Sequence, residues 1–219
     1  NLGQSYHENL NKYRKMHDLF NSIFMGTMTS MVCVAYLMII PFVKLYTKGV
    51  TDVDYVNEFL PLMFCLVQLL SWSRYIAGNL TGLAGYAKKV SYVSLIEAFT
   101  NLCGSLILVK KFGIMGVLMA TVIALPLKSI YCNWISDSQI MERKPYKTLL
   151  ILGCNFLCFF VVVVISRNHI FAIQNYKEFV LYGIRYSVIC FVGVMVVNAL
   201  VNNNLLSTGL KIVNGVWKN

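Results

Sequence analysis

Residues 90–136 read VSYVSLIEAFTNLCGSLILVKKFGIMGVLMATVIALPLKSIYCNWIS. Two apolar runs, 90–109 and 113–136, are parted only by Lys110, Lys111 and Phe112. A helix crosses the hydrocarbon core of a bilayer in about 20 residues, so a run of about 45 is far too long for one crossing. Lys110 and Lys111 then mark a turn between two helices, and Gly113 permits it. The stretch predicts a helical hairpin in a membrane. Hydrocarbon satisfies no backbone group, which leaves helices and closed barrels as spanning structures. The alternating pattern of about ten residues that marks a barrel strand is missing.

Four further runs of similar character lie at 19–43, 59–77, 146–166 and 179–201. The predicted fold class is therefore an all-α integral membrane protein, a bundle of six transmembrane helices over 19–201. Residues 1–18 read as a cytoplasmic amphipathic segment, with Leu2, Tyr6, Leu10 and Tyr13 at roughly helical spacing among Lys12, Arg14 and Lys15. Residues 202–219 read as a cytoplasmic interfacial tail carrying Leu206, Leu210, Val213 and Trp217. The first twenty residues are polar and predict no cleavable signal.

Composition agrees. The 219 residues are 58% hydrophobic and 13% charged, with a mean hydropathy of +0.64. A soluble domain is nearer 45–50% apolar and about 25% charged. An ordinary soluble enzyme, a disordered chain and a small disulfide scaffold are excluded. The seven cysteines lie in or at the ends of apolar runs and form no C-x-x-C pair, so they read as packing residues. The net charge of +10 sits mainly between the runs, which points to loops at an anionic membrane face and not to nucleic acid. By alternation, Lys12, Arg14, Lys15, Lys88, Lys89, Arg143, Lys144, Lys147, Lys211 and Lys218 share the face of the N-terminus. Lys44, Lys48, Lys110, Lys111, Arg167 and Lys177 share the other. The bias places both termini in the cytoplasm.

Charges inside spans are costly and are functional candidates by default. They are Arg74, Glu97, Lys128 and Arg185. At about 1.5 Å per residue, Arg74, Glu97 and Lys128 lie about 5, 10 and 12 Å in from the cytoplasmic side. A cationic cavity for a phosphate headgroup would have this composition. The alternatives are that Arg74 snorkels to the headgroups and that Glu97 and Lys128 form an ion pair. Ser94, Glu97, Asn101 and Ser105 share one helix face, turned either to a water-filled cavity or to a neighbouring helix. Pro126 should free the Val122 carbonyl and kink the helix near Lys128. Gly78, Gly82 and Gly85 permit either a close helix approach or a flexible connector.

Signals for catalysis are thin. The three histidines lie between the runs, and no metal-ligand cluster, P-loop, dinucleotide fingerprint or Ser-His-Asp set is visible. No cofactor is predicted. Asp52 and Asp54, in an outward loop, are the acids a membrane glycosyltransferase would need, although solvated loop acids look the same.

Residues 101–121, NLCGSLILVKKFGIMGVLMAT, resemble a signature of the polysaccharide (O-antigen and capsule) flippases. That family's signature is a helix opening with Asn and running into Leu-Val-Pro-x-Phe-Gly-Ile-x-Gly-Ala-x-x-Ala-Thr. Asn101, Leu108, Val109, Phe112, Gly113, Ile114, Gly116, Ala120 and Thr121 match, and Lys110 stands where Pro is usual. Leu2-Gly3-Gln4, then Lys12-Tyr13-Arg14-Lys15 and Phe20, resemble the cytoplasmic loop before the family's ninth helix. The resemblance covers essentially the whole chain but only the C-terminal half of the family's roughly fourteen-helix architecture.

The resemblance implies one lobe of a two-lobe exporter of the multidrug/oligosaccharidyl-lipid/polysaccharide superfamily. It implies alternating-access transport, not catalysis. The cargo would be an undecaprenyl-pyrophosphate-linked oligosaccharide crossing the bacterial cytoplasmic membrane. Its implied partners are membrane lipids, an N-terminal lobe and a polysaccharide polymerase. Asn101, Gly113 and Gly116 carry over as packing and turn residues. Lys128, Arg74 and Asn101 as substrate contacts, Glu97 as coupling acid or ion-pair partner, and Pro126 as a structural kink rest on the residues themselves. A drug/cation antiporter lobe using Glu97, or a glycosyltransferase or polymerase fragment using Asp52 and Asp54, are the alternative readings.

Overall fold

The computed structural model describes residues 10–50, 56–167, 173, 175–203, 205 and 207. Asp52, Asp54, residues 1–9 and most of the 202–219 tail lie outside the described residues. Every described element is helical: α1 (Leu10–Tyr46), α2 (Phe59–Trp72), α3 (Tyr75–Thr81), α4 (Ala87–Phe112), α5 (Ile114–Ile135), α6 (Tyr146–Arg167) and α7 (Tyr176–Val201). π-helical turns at Gly82–Tyr86 and Ser136–Ile140 follow α3 and α5.

The distribution of polarity is inverted relative to a soluble domain. Leu95, Phe99, Ile107 and Leu181 are each about two-thirds exposed, while Asn155, Asn198 and Asn202 are fully buried. Large apolar side chains facing outward along whole helices suit hydrocarbon, and polar side chains turned inward suit helix-to-helix bonding.

Among the described residues five helical stretches are long and apolar enough to cross a membrane: Leu10–Tyr46, Phe59–Phe112, Ile114–Ile140, Tyr146–Arg167 and Tyr176–Val201. Six were expected. The runs at 59–77 and 90–109 fall within one 54-residue stretch, in which helices meet across a kink with non-helical backbone at Gly85. That stretch is not a straight rod. Along a straight helix Arg74 and Glu97 would be about 34 Å apart, yet their side chains are ion-paired. The chain folds back at Gly85, whose φ of 84° is one that residues with a Cβ rarely adopt. A Cβ added to Gly78, Gly82 or Gly85 would meet nothing within 4 Å, so none of them makes a close helix contact, and of the three it is Gly85 whose positive φ makes the bend.

α1 is the hub. It packs against α7, α6 and α2, over a core of Val32, Cys33, Leu37, Cys65, Leu69, Phe159, Val163 and Cys190. Phe24 stacks on Tyr75, and Tyr36 meets Phe159 edge-on. The boundary expected at 18/19 is not a break. Residues 10–18 are the first turns of α1, with Tyr13, His17 and Asp18 buried.

α5 joins α2 to the α4–α5 hairpin, and α4 buries no residue fully. Within the hairpin, Gly113 turns the chain at φ 56°. Gly116 lets the helices touch: a Cβ there would collide with the Leu108 carbonyl. A Cβ on Gly104 would lie 3.0 Å from that of Ala120. α5 continues through Pro126 to Ile135.

Gly116→Ala should therefore lower stability by about 1–3 kcal/mol, since a methyl cannot enter the closed contact without moving a helix. Gly153→Ala, where the added Cβ meets nothing within 4 Å, should be neutral or slightly stabilising. Thermal midpoints of the two variants in the same detergent decide the point.

Candidate functional site

Arg74 sits in the break between α2 and α3, where its backbone is the N-cap of α3. Glu97 lies on α4, one helix beyond the fold-back. Arg74 Nη1 and Glu97 Oε2 pair, with side-chain exposures of 22% and 14%. The expected alternatives resolve in one arrangement: Glu97 takes Arg74 as its partner instead of Lys128, and Arg74 turns inward. Lys128 lies on α5, one turn before the fully buried Cys132, and α5 packs against both α3 and α4. The three charged residues thus lie on or beside the packed elements α3, α4 and α5, and their formal sum is one positive charge.

Of the polar stripe of α4, Glu97 and Asn101 reach neighbouring elements, while Ser94 and Ser105 bond within α4. Asn101 Oδ1 accepts from Thr121 Oγ1 at 3.1 Å and from Ser105 Oγ at 3.3 Å. Ser94 Oγ donates to the Val90 carbonyl. Asn101 and Thr121, the first and last residues of the signature stretch, therefore tie the hairpin across its two helices. This oxygen of Asn101 is engaged within the hairpin. Beside Arg74, Ser73 Oγ and Ser129 Oγ are 2.6 Å apart, and Asn133 Nδ2 donates to the Ser73 carbonyl at 3.1 Å. These bonds fix the α2–α5 seam that positions Arg74.

The strongest polar network was not anticipated. Arg143 donates to both oxygens of Asp18, at 2.6 and 2.9 Å, and through Nε to Asp137 at 2.7 Å. Lys147 Nζ lies 3.4 Å from Asp18. Arg14 reaches over to the carbonyls of Met141 and Glu142. Asp18 and Asp137 are buried, so the start of α1, the second π turn and the start of α6 are clamped on a desolvated guanidinium. Burial opposes the charge on Arg143, but hydrogen bonds and attraction from Asp18 and Asp137 outweigh it and push its pKa above the ordinary value.

In the sequence Arg143 looked like a loop charge and Asp18 like part of a polar tail, and no spacing rule joins residues 125 apart in the chain. A second network had a visible signal, single asparagines in apolar runs. Asn155 and Asn198 exchange hydrogen bonds at 2.9 and 3.1 Å between α6 and α7. Asn202 Nδ2 donates to Ser22 Oγ at 3.0 Å.

Two cavities adjoin the bundle. One of about 530 Å³ lies among the ends of α1, α2 and α6, and one of about 580 Å³ is an apolar groove between α1 and α7. Neither is lined by Arg74, Glu97 or Lys128. Among the described residues no three His, Cys, Asp or Glu side chains gather as a metal site.

Replacing Arg143 by Ala should cost about 3–5 kcal/mol, because it leaves Asp18 and Asp137 buried without their main partner. Lys144→Ala, beside it in the chain, should be nearly neutral. Unfolding in detergent measures both, and equal midpoints would remove the clamp from this account.

Compared with known proteins, the chain matches no protein-family model, no curated protein and no solved structure.

Proposed function

We propose that this chain is the C-terminal lobe of a lipid-linked oligosaccharide flippase. It moves undecaprenyl-pyrophosphate-linked glycan across the bacterial cytoplasmic membrane by alternating access. The observation that carries the reading is the Arg74–Glu97–Lys128 group, whose formal sum is positive, on packed helices within membrane-length apolar stretches. A pyrophosphate leaving water needs charge-assisted partners. Lys128 supplies them, while Arg74, tied to Glu97, sets its local field.

The resemblance of residues 101–121 to the flippase signature supports the same reading. The fold-back at Gly85 supports six crossings, with 59–81 and 87–112 counted separately. Both termini then face the cytoplasm, in line with the Lys and Arg bias. The antiporter alternative is less well supported, since Glu97 is already matched by a guanidinium. A coupling acid must give up its charge to a proton or ion and take it back in each cycle. Alternating access also needs a second body to rock against, so transport requires the N-terminal lobe, and a polysaccharide polymerase would consume the flipped units.

Glycan display by a flippase-deficient strain carrying the full-length protein tests this. Lys128→Ala should reduce display at least about tenfold, a loss of roughly 1.4 kcal/mol or more of binding, with the protein retained in the membrane. Normal display from that variant would sink the pyrophosphate site. Arg74→Glu and Glu97→Arg should each deplete the protein from the membrane, and the doubly exchanged variant should restore its amount. A double variant as depleted as the singles would remove the pair from the argument.

A further inference from the structure

We infer that the cavity of about 530 Å³ at the end of α1 is a second anion site, one that holds the phosphate of a lipid. It lies far from the Asp18–Arg143 clamp. Lys44 is 26 residues beyond Asp18 on the same helix, about 39 Å along its axis. Three helix ends form its rim. α1 contributes Lys44, the start of α2 contributes Glu58, and the last turn of α6 contributes Arg167.

Among the described residues these charges are not within 4 Å of an opposite charge, on one another or elsewhere. Two cations against one carboxylate leave the rim net positive. This differs from the Arg74 group, where the acid is already paired.

The rest of the cavity suits an amphiphile. Its wall includes Leu37, from the dry core, together with Ile40 and Leu62. Pro41 lines it too and lacks the N–H that would bond to the Leu37 carbonyl. The backbone amides at the start of α2 do not serve the anion. Phe59 and Leu60 donate theirs to Asn57 Oδ1, at 3.0 and 3.3 Å. Ser166 Oγ is bonded to the Val163 carbonyl. The cations left for a phosphate are therefore the Lys44 ammonium and the Arg167 guanidinium, with the Tyr36 hydroxyl also in the lining and apolar wall for the first carbons of a hydrocarbon tail. Glu58 limits affinity by repelling the phosphate, which suits a site that must also let go.

The site takes any lipid phosphate, so two sources are distinguished: a resident phospholipid and a prenyl pyrophosphate. Naming the prenyl pyrophosphate as cargo rests on the flippase reading; the lipid-phosphate site itself does not. The experiment uses the full-length protein in phosphatidylcholine nanodiscs, with native mass spectrometry to count bound phosphatidylglycerol or farnesyl pyrophosphate.

The double variant Lys44→Ala/Arg167→Ala should weaken one bound equivalent about tenfold. Glu58→Gln should strengthen the same equivalent, and Lys48→Ala, nearby but not in the lining, should change nothing. Opposite shifts from Glu58→Gln and the double variant are not what a merely structural role would give. Loss of phosphatidylglycerol alone assigns the resident lipid; loss of farnesyl pyrophosphate assigns the cargo. An unchanged count in the double variant overturns the site. So does full displacement of the lipid by an equal concentration of inorganic pyrophosphate, because the apolar wall would then contribute nothing. Loss on Lys128→Ala, separately scored, speaks only to the inner cluster, so failure of one site leaves the other standing.

Discussion

A polar side chain inside a bundle whose outer surface is this apolar can bond only to other side chains or to helix carbonyls. That constraint organises the structure. Asn155 meets Asn198, Ser73 meets Ser129, Asn101 meets Thr121, and Arg74 meets Glu97. Each contact joins two elements, and each is a place where apolar packing alone would let helices slide. Leucines and valines on these helices pack almost equally well against neighbours and against lipid, so the polar contacts choose the register.

The contacts divide unevenly across the molecule. α1, α6 and α7 share a core, and the Arg143 clamp fastens two of their ends. The α4–α5 hairpin is held to this body through α2, and at the far end of α5 through Asp137 and Arg143, while α4 exposes most of its surface. The Arg74 group sits where the body meets the hairpin. A movement of the hairpin would carry Glu97 and Lys128 together and strain the Arg74–Glu97 pair directly, whereas the clamp at Arg143 would resist any separation of α1 from α6. This makes the hairpin side the natural place for a second lobe to act, within the proposed transport reading.

The two charged regions also differ in kind. At the clamp, carboxylates and guanidinium are matched and desolvated, and such a group holds a shape. At the rim of the 530 Å³ cavity the charges are unmatched and accessible, and such a group is available to a ligand. The inner cluster combines both conditions, one matched pair and one additional lysine.

The sequence by itself determined that the chain is helical and apolar on its outside, and where most helices begin and end. Those properties are local: hydropathy over about 20 residues, a Gly113 turn, a pair of lysines between two runs. It also marked Arg74, Glu97, Asn101 and Lys128, because polar residues stand out in apolar runs.

Only the tertiary structure decided who pairs with whom. Glu97 lies about one helix length from both Arg74 and Lys128, and the bend at Gly85, with α5 packed alongside, settles its choice on Arg74. Asp18, Asp137 and Arg143 were illegible for a related reason. Each looks like an ordinary solvated charge until α1 and α6 are set side by side, and burial is a property of that packing and not of any residue's neighbours in the chain.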